Sequence, residues 1–271
     1  MAVLNVTDDS YYAASRCIDI DAAVERTHRM RQEGAAIIDV GGESTHPLKL
    51  TPTPEATEMA RVIPVIRRLA NELDCPVSVD TIKPSVATAA LWTGATLIND
   101  VSGFRDAEMR ALAAAADCRV CVMHMPWAPY ASHQAAKYPH GVVEAVIRFL
   151  SQQIDLLLAA GVREDNIIID PGIGGGQFGK TIAHNLEILQ NLHRIKGLGY
   201  PVLLGVSRKT FIREILDCSI EESLTGTLAL NCLAADQGID ILRVHDVKEH
   251  MDVIRMVAAL HHHEVDTPMP V

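Results

Sequence analysis

The sequence predicts a (β/α)8 barrel, a single α/β domain of TIM-barrel type, and three observations lead there. Short runs of Val, Ile and Leu recur along the chain, each breaking abruptly at a polar or charged residue. Strands buried on both faces read this way, and a polar group fixed at such an end is costly unless it finds a partner. Between the runs lie stretches whose apolar residues recur with helical period. The 271 residues also suit a barrel of this kind, which runs to roughly 250 as one unit. Strand and helix alternate about eight times, and parallel strands joined by right-handed helical crossovers are the economical solution.

The elements follow in order. Val3-Leu4-Asn5 is the first strand, and a helix is expected over 19–33, with Ile20, Ala23, Val24 and Met30 on one stripe. Ile37-Ile38-Asp39 is the second strand. The helix over 54–73 opens on Pro54 and Glu55, both start signals, and aligns Met59, Val62, Ile63, Ile66 and Leu69. Val77-Ser78-Val79-Asp80 precedes a helix over 84–92, and Leu97-Ile98-Asn99-Asp100 one over 107–116. The fifth strand, 119–124, ends in Met123-His124 and leads to a helix over 142–160. Ile167-Ile168-Ile169-Asp170 precedes a helix over 182–195. The run Leu203-Leu204-Gly205-Val206 stops at Ser207-Arg208-Lys209, and a helix is expected over 221–237. Leu242-Arg243-Val244-His245 and a helix over 247–260 complete the set. Gly34, Gly94, Gly161, Gly197 and Gly238 stand where left-handed helix caps are expected. No linker divides the chain, so the barrel is assigned to 1–262 and a short tail to 263–271.

Composition narrows the function. With 48% hydrophobic but only 4% aromatic residues, the core must be aliphatic. A net charge of −10 argues against nucleic acid or an anionic membrane as partner. No apolar run approaches the roughly 20 residues of a membrane span, and the amino terminus lacks a signal pattern, so a cytoplasmic location is expected. The six cysteines are scattered, as reduced buried thiols are. Cys118 and Cys121 form a C-x-x-C, yet positions three apart on a strand face opposite ways, which favours packing over redox or metal chemistry. Asn5-Val6-Thr7 matches a glycosylation sequon but sits at a buried strand end. The histidines 261–263 read as a solvated helix end.

In a barrel of this type the site lies at the carboxyl ends of the strands, and the irregular segments 8–16, 43–53 and 126–139 are its expected lids. Taken alone, Asp80 or Asp170 could simply cap a following helix, His245 could be a satisfied histidine, and Arg208 reads as a salt-bridge partner. The motifs in series say more. Leu4-Asn5-Val6-Thr7-x-Asp9-Ser10, Asp39-Val40-Gly41-Gly42-Glu43-Ser44-Thr45-x-Pro47 and Ser78-Val79-Asp80-Thr81 come first. Asn99-Asp100, Met123-His124-Met125, Asp170-Pro171-Gly172, Ser207-Arg208-Lys209 and Arg243-Val244-His245-Asp246 follow. From the first residue to about residue 260 the chain resembles the dihydropteroate synthases of folate biosynthesis.

That resemblance implies a transferase condensing 6-hydroxymethyl-7,8-dihydropterin pyrophosphate with para-aminobenzoate to give 7,8-dihydropteroate and pyrophosphate. It implies that Asp170, Asn99 and Met123 hold the pterin, with Lys209 bonding the ring and Asp80 near the reacting carbon. Asp80, Lys209 and Asn99 are then the catalytic residues. Asn5, Thr45, Arg243 and His245 would surround the pyrophosphate, with Asn5 at a Mg2+ ion, the implied cofactor. Pro47, Phe178, Lys209 and Thr210 would form the para-aminobenzoate site, and the family implies a homodimer. Physical chemistry agrees: a carboxylate suits the guanidine-like edge of a pterin, and a planar guanidinium suits phosphate.

Three departures stand out. Where the family's first loop reads Asp-Ser-Phe-Ser-Asp-Gly-Gly, this chain has Ala13 at the second acidic position, and the second loop carries His46 in place of the usual arginine. Their joint absence reads as a coupled change, with lid closure relying on Arg16, Tyr11 or Tyr12 and with altered affinity for para-aminobenzoate and sulfonamides. After the sixth strand the chain reads Asp170-Pro171-Gly172-Ile173-Gly174-Gly175-Gly176-Gln177-Phe178-Gly179-Lys180, longer than the family's loop. Residues 174–181 thereby satisfy the P-loop pattern, a remote NTPase alternative. Closer alternatives are a pterin-binding methyltransferase of the same fold, against which the anion-binding groups argue, and a catalytically weak paralogue.

Overall fold

The strands are short, and most of their Val, Ile and Leu pack outward, while polar groups and a small apolar cluster face in. The computed structural model describes residues 1–7, 19–43, 51–132 and 134–262. Six strands, β1 (Ala2–Asn5), β2 (Ile38–Gly41), β3 (Val77–Asp80), β4 (Leu97–Asp100), β5 (Arg119–Met123) and β6 (Ile167–Asp170), pair in parallel in sequence order. Two more, β7 (Leu203–Leu204) and β8 (Ile241–Leu242), pair with each other. Single parallel bridges, Ile169 with Val202 and Ala2 with Val244, join the two groups at both seams. The Ile169 amide donates to Pro201 O and the Val3 amide to Val244 O, both at 2.9 Å. The result is the expected ring of eight.

Around it run α1 (Ile20–Gln32), α2 (Glu55–Glu72), α3 (Pro84–Thr93), α4 (Ala107–Ala116) and α5 (Val142–Ala159). There follow α6 (Ile182–Gln190), α7 (Leu192–Lys196), α8 (Thr210–Leu216), α9 (Leu224–Asp236) and α10 (Val247–His262). Two expectations need correction. The helix expected over 182–195 is broken at Asn191, which leaves helical geometry at φ −116°, ψ 24° while its side chain bonds Glu187 O at 2.8 Å. The short α8 was not foreseen. Gly34, Gly94, Gly161 and Gly238 take positive φ as expected; Gly197 does not (φ −59°), and Gly199 does so instead.

The main apolar core lies between wall and helices, with Leu4, Ile38, Val40, Ile66, Leu69, Ile98 and Val120 among its buried members. A smaller cluster of Leu97, Cys121, Ile168 and Leu203 is separate from it. Cys118 belongs to the first cluster and Cys121 to the second, so the two thiols are divided by the wall, as strand alternation requires. Burial pushes Cys118 up to about 11 and Cys121 well above the ordinary range. Packing is what they do.

Candidate active site

Strand register sets the polar ends level. Gly41 lies opposite Asp80, Asp80 opposite Asn99, and Met123 opposite Asp170. Asp80, Asn99, Met123, Asp170, Lys209, Arg243 and Phe178 line one cavity, with Val101, Ile173 and Gly205. Seven residues named from sequence thus meet at one place. Asn5 ends β1 beside Gly41, and His245 follows β8.

Arg243 organises the interior. Its Nε donates to Asp39 Oδ2 at 2.7 Å and its Nη2 to Asp80 Oδ2 at 2.8 Å. Asp39 also accepts from Ser78 Oγ at 2.6 Å and Asn99 Nδ2 at 3.1 Å. Burial opposes charge on Arg243, but Asp39 and Asp80 overcome it and hold the group above its ordinary range. One guanidinium cannot fully compensate two carboxylates, and burial pushes Asp80 up to about 7. Asp39 was read as a strand end; β2 continues to Gly41, so Asp39 is a fully buried wall residue. Sequence reasoning gave it no role. The signal was there, since a carboxylate inside a buried strand demands a cation.

The other titratable groups follow from burial and neighbours. Burial pushes Asp170 up, against the Gly172 amide at 2.7 Å and the charge of Lys209. Lys209 precedes α8, its Nζ 4.4 Å from the Phe178 ring centre, and burial with Arg243 lowers it to about 8. His245 Nδ1 is 2.9 Å from Ser207 Oγ. Burial, Arg243 and Arg208 hold His245 down at about 3, so the imidazole stands neutral between these cations. Arg208 binds both Asp246 oxygens, at 2.9 and 2.8 Å, the structural part expected of it. Thr210 opens α8 next to Lys209. Thr45 and Pro47 lie outside the described residues, as do Tyr11, Tyr12, Ala13, Arg16 and His46.

The P-loop alternative fails on geometry. Lys180 is buried, its Nζ 3.0 Å from His124 Nδ1 and 3.2 Å from Phe178 O. A phosphate-binding lysine must reach the ligand; this one faces the protein interior, where burial lowers it to about 7. The glycines serve close packing instead. A side chain on Gly172 would overlap the His124 carbonyl, and one on Gly179 would meet Pro126 and the Trp127 ring.

For a metal, the donor set fits a hard cation that keeps its waters. Among the described residues no three of His, Cys, Asp and Glu converge on a cage. Gly41 keeps open a space that a methyl group would fill, 3.6 Å from Asn5 Oδ1 and 3.7 Å from Asp80 Oδ2. Oxygen donors of this kind are what Mg2+ takes.

Comparison with known proteins bears on the whole chain. Residues 1–245 match the family described as pterin binding enzyme. The dihydropteroate synthase of Clostridium beijerinckii is 42% identical over 94% of this chain and 91% of its own length. A dihydropteroate synthase of Coxiella burnetii solved with pteroic acid superposes with a TM-score of 0.89, 32% identical over 97% of this chain and 93% of that one. That of Xanthomonas albilineans, solved with 4-aminobenzoic acid, gives 0.87 at 39% identity over 98% and 93%. On fold, motifs and likeness together, the chain belongs to the pterin-binding enzymes and, within them, to the dihydropteroate synthase family.

Proposed function

We propose that this chain condenses 6-hydroxymethyl-7,8-dihydropterin pyrophosphate with para-aminobenzoate. The observation that carries the reading is the single cavity lined by Asp80, Asn99, Asp170, Lys209 and Arg243, five groups from five strand ends. Asp170 and Asn99 face the pterin's donor edge beside Met123, and the charge of Asp170 is balanced by Lys209. Phe178 and Lys209 receive the aromatic acid, with Thr210 adjoining and Pro47 assigned there by motif. Asn5, Arg243, His245 and Thr45 meet the pyrophosphate.

The reaction needs no nucleophilic side chain. The amine lone pair attacks the exocyclic methylene carbon, the carbon–oxygen bond breaks, pyrophosphate leaves with that electron pair, and the amine gives up a proton. Asp80, ionised, stabilises positive charge developing on the pterin, and the Arg243 guanidinium meets the negative charge gathering on the leaving group. When Asp80 is drawn toward the carbon, Arg243 remains held by Asp39, so the cation is positioned throughout. Asn5 would hold Mg2+, which when bound would supply charge neutralisation for the pyrophosphate.

The exposed Ile215, Leu216, Leu233, Met256 and Leu260, on α8, α9 and α10, support a homodimer through this side of the barrel. No described helix is long and apolar enough to cross a membrane, and the described cysteines are unpaired, which together support a cytoplasmic protein. The test is purified protein with both substrates and Mg2+. Pteroate and pyrophosphate should form in equal amounts, and Asp170→Ala should reduce turnover at least about a hundredfold. Absence of both products in the wild type rejects the reading in favour of a binding-only paralogue.

A further inference from the structure

A recess adjoins the pterin cavity and shares Asp80 and Val101 with it. Its other walls come from three loops: Glu43 after β2, Pro129 and Tyr130 after β5, and Gln177 from the lengthened loop after β6. Thr81 and Ile82 complete it. Among the described residues no lysine or arginine lines the recess, whose polar groups are Glu43, Asp80, Thr81, Tyr130 and Gln177. Carboxylates, an amide and a phenol suit an uncharged group that donates hydrogen bonds. An aromatic amine approaching the carbon beside Asp80 is such a group.

Tyr130 is held there at some cost. Its φ is 63°, the left-handed region that aromatic residues seldom adopt, and such outliers persist only where the surroundings over-determine them. The phenol lines the recess together with the Glu43 carboxylate, and burial with the nearby Glu43 charge keeps the phenol protonated far beyond neutral pH. Glu43 in turn accepts from Lys83 Nζ at 2.6 Å, and Lys83 also binds the fully buried Glu58. On the other side, Trp127 Nε1 donates to Gln177 O at 2.9 Å. The segment after β5 is therefore tied to the loop after β6 and stands against Glu43 of the loop after β2.

We infer that Tyr130, set beside Glu43 in the recess, is a specificity-determining residue for the arylamine: it fixes the wall of the recess that receives the amine beside Asp80. This rests on the synthase reading above. Tyr130 acts through Glu43 and the wall, so it is a positioning residue and its signature is a split between KM values. In steady-state assays Tyr130→Phe, which keeps the ring and removes the hydroxyl from the recess wall, should raise KM for para-aminobenzoate about tenfold, the order expected when one polar contact near a charged group is lost. The KM for the pterin pyrophosphate and kcat should stay within about twofold. Tyr130→Gly, which suits the positive φ, should unfold no earlier than wild type and still raise the same KM at least tenfold. That combination separates positioning from general destabilisation. Wild-type KM for para-aminobenzoate in both variants overturns the inference, as does an equal rise in both substrates' KM. A wild-type protein that forms no pteroate overturns the synthase reading itself, and this inference with it.

Discussion

Arg243 sits between Asp39 and Asp80 with one charge for two carboxylates, and the behaviour of the interior follows from that imbalance. Removing Asp39 leaves the guanidinium with Asp80 alone and strips Ser78 and Asn99 of their acceptor. Arg243 keeps Asp80 as its counter-charge, so the cost is that of the stranded donors, about 1–3 kcal/mol, and Asp39→Ala should lower the urea midpoint by that equivalent with an unchanged slope. Lys209 gives a pH prediction. Burial lowers it to about 8, so the amine is a cation below that pH and neutral above it. If its charge holds the pterin, kcat/KM falls as pH rises through about 8. Lys209→Arg, whose guanidinium stays charged, should lose that limb, as a pH–rate profile will report. Legibility at this scale was uneven. Asp80, Asn99 and Asp170 drew attention because each ends an apolar run, and Lys209 through the family motif; the structure brings all four to one cavity. Asp39 was misplaced because Val40 and Gly41 continue its strand, and the partnership of Tyr130 with Glu43 was hidden because a non-glycine left-handed residue leaves no trace in composition.

The elements carry the site through their ends. The loop between β6 and α6 is crowded: Gly172 takes φ 69° and its missing side chain makes room for the His124 carbonyl. Gly172→Ala combines left-handed strain with overpacking and should cost at least about 3 kcal/mol, read as a lowered unfolding midpoint. The same loop ends on a capping box, Thr181 Oγ1 accepting from the His184 amide at 3.2 Å while His184 Nδ1 accepts from the Thr181 amide. Thr181→Ala should therefore cost about 1 kcal/mol, measured by denaturant titration. Sequence found the start of this helix but not its break, because Asn191 interrupts without a proline or glycine. It missed α8 because the helix spans only Thr210–Leu216, too few residues to show a period, and follows directly on a polar strand end.

The barrel as a whole was legible because alternation of short apolar runs with periodic helices admits few other closures. What the pattern could not reveal is that the ring is unevenly tied. β1 to β6 share continuous ladders, whereas β7 and β8 are two residues long and reach their neighbours through one bridge at each seam. Side chains reinforce the pair itself, Ser207 with His245 and Arg208 with Asp246, and Arg243 reaches across to Asp39 and Asp80. Hydrogen exchange should show it: amides of 203–204 and 241–242 ought to exchange faster than those of β3 to β5, since local openings cost less where few bonds break. At the same scale, Leu233→Glu on the exposed apolar side should shift light-scattering mass from two chains to one without loss of fold. The unequal ring has a consequence for affinity. Asp80, Asn99 and Asp170 ride on the firmly laddered arc, while Lys209 and Arg243 ride on the lightly tied pair. Any molecule gripped by both sets acts as a clasp across the two seams, so the substrate itself finishes the construction of the wall that holds it.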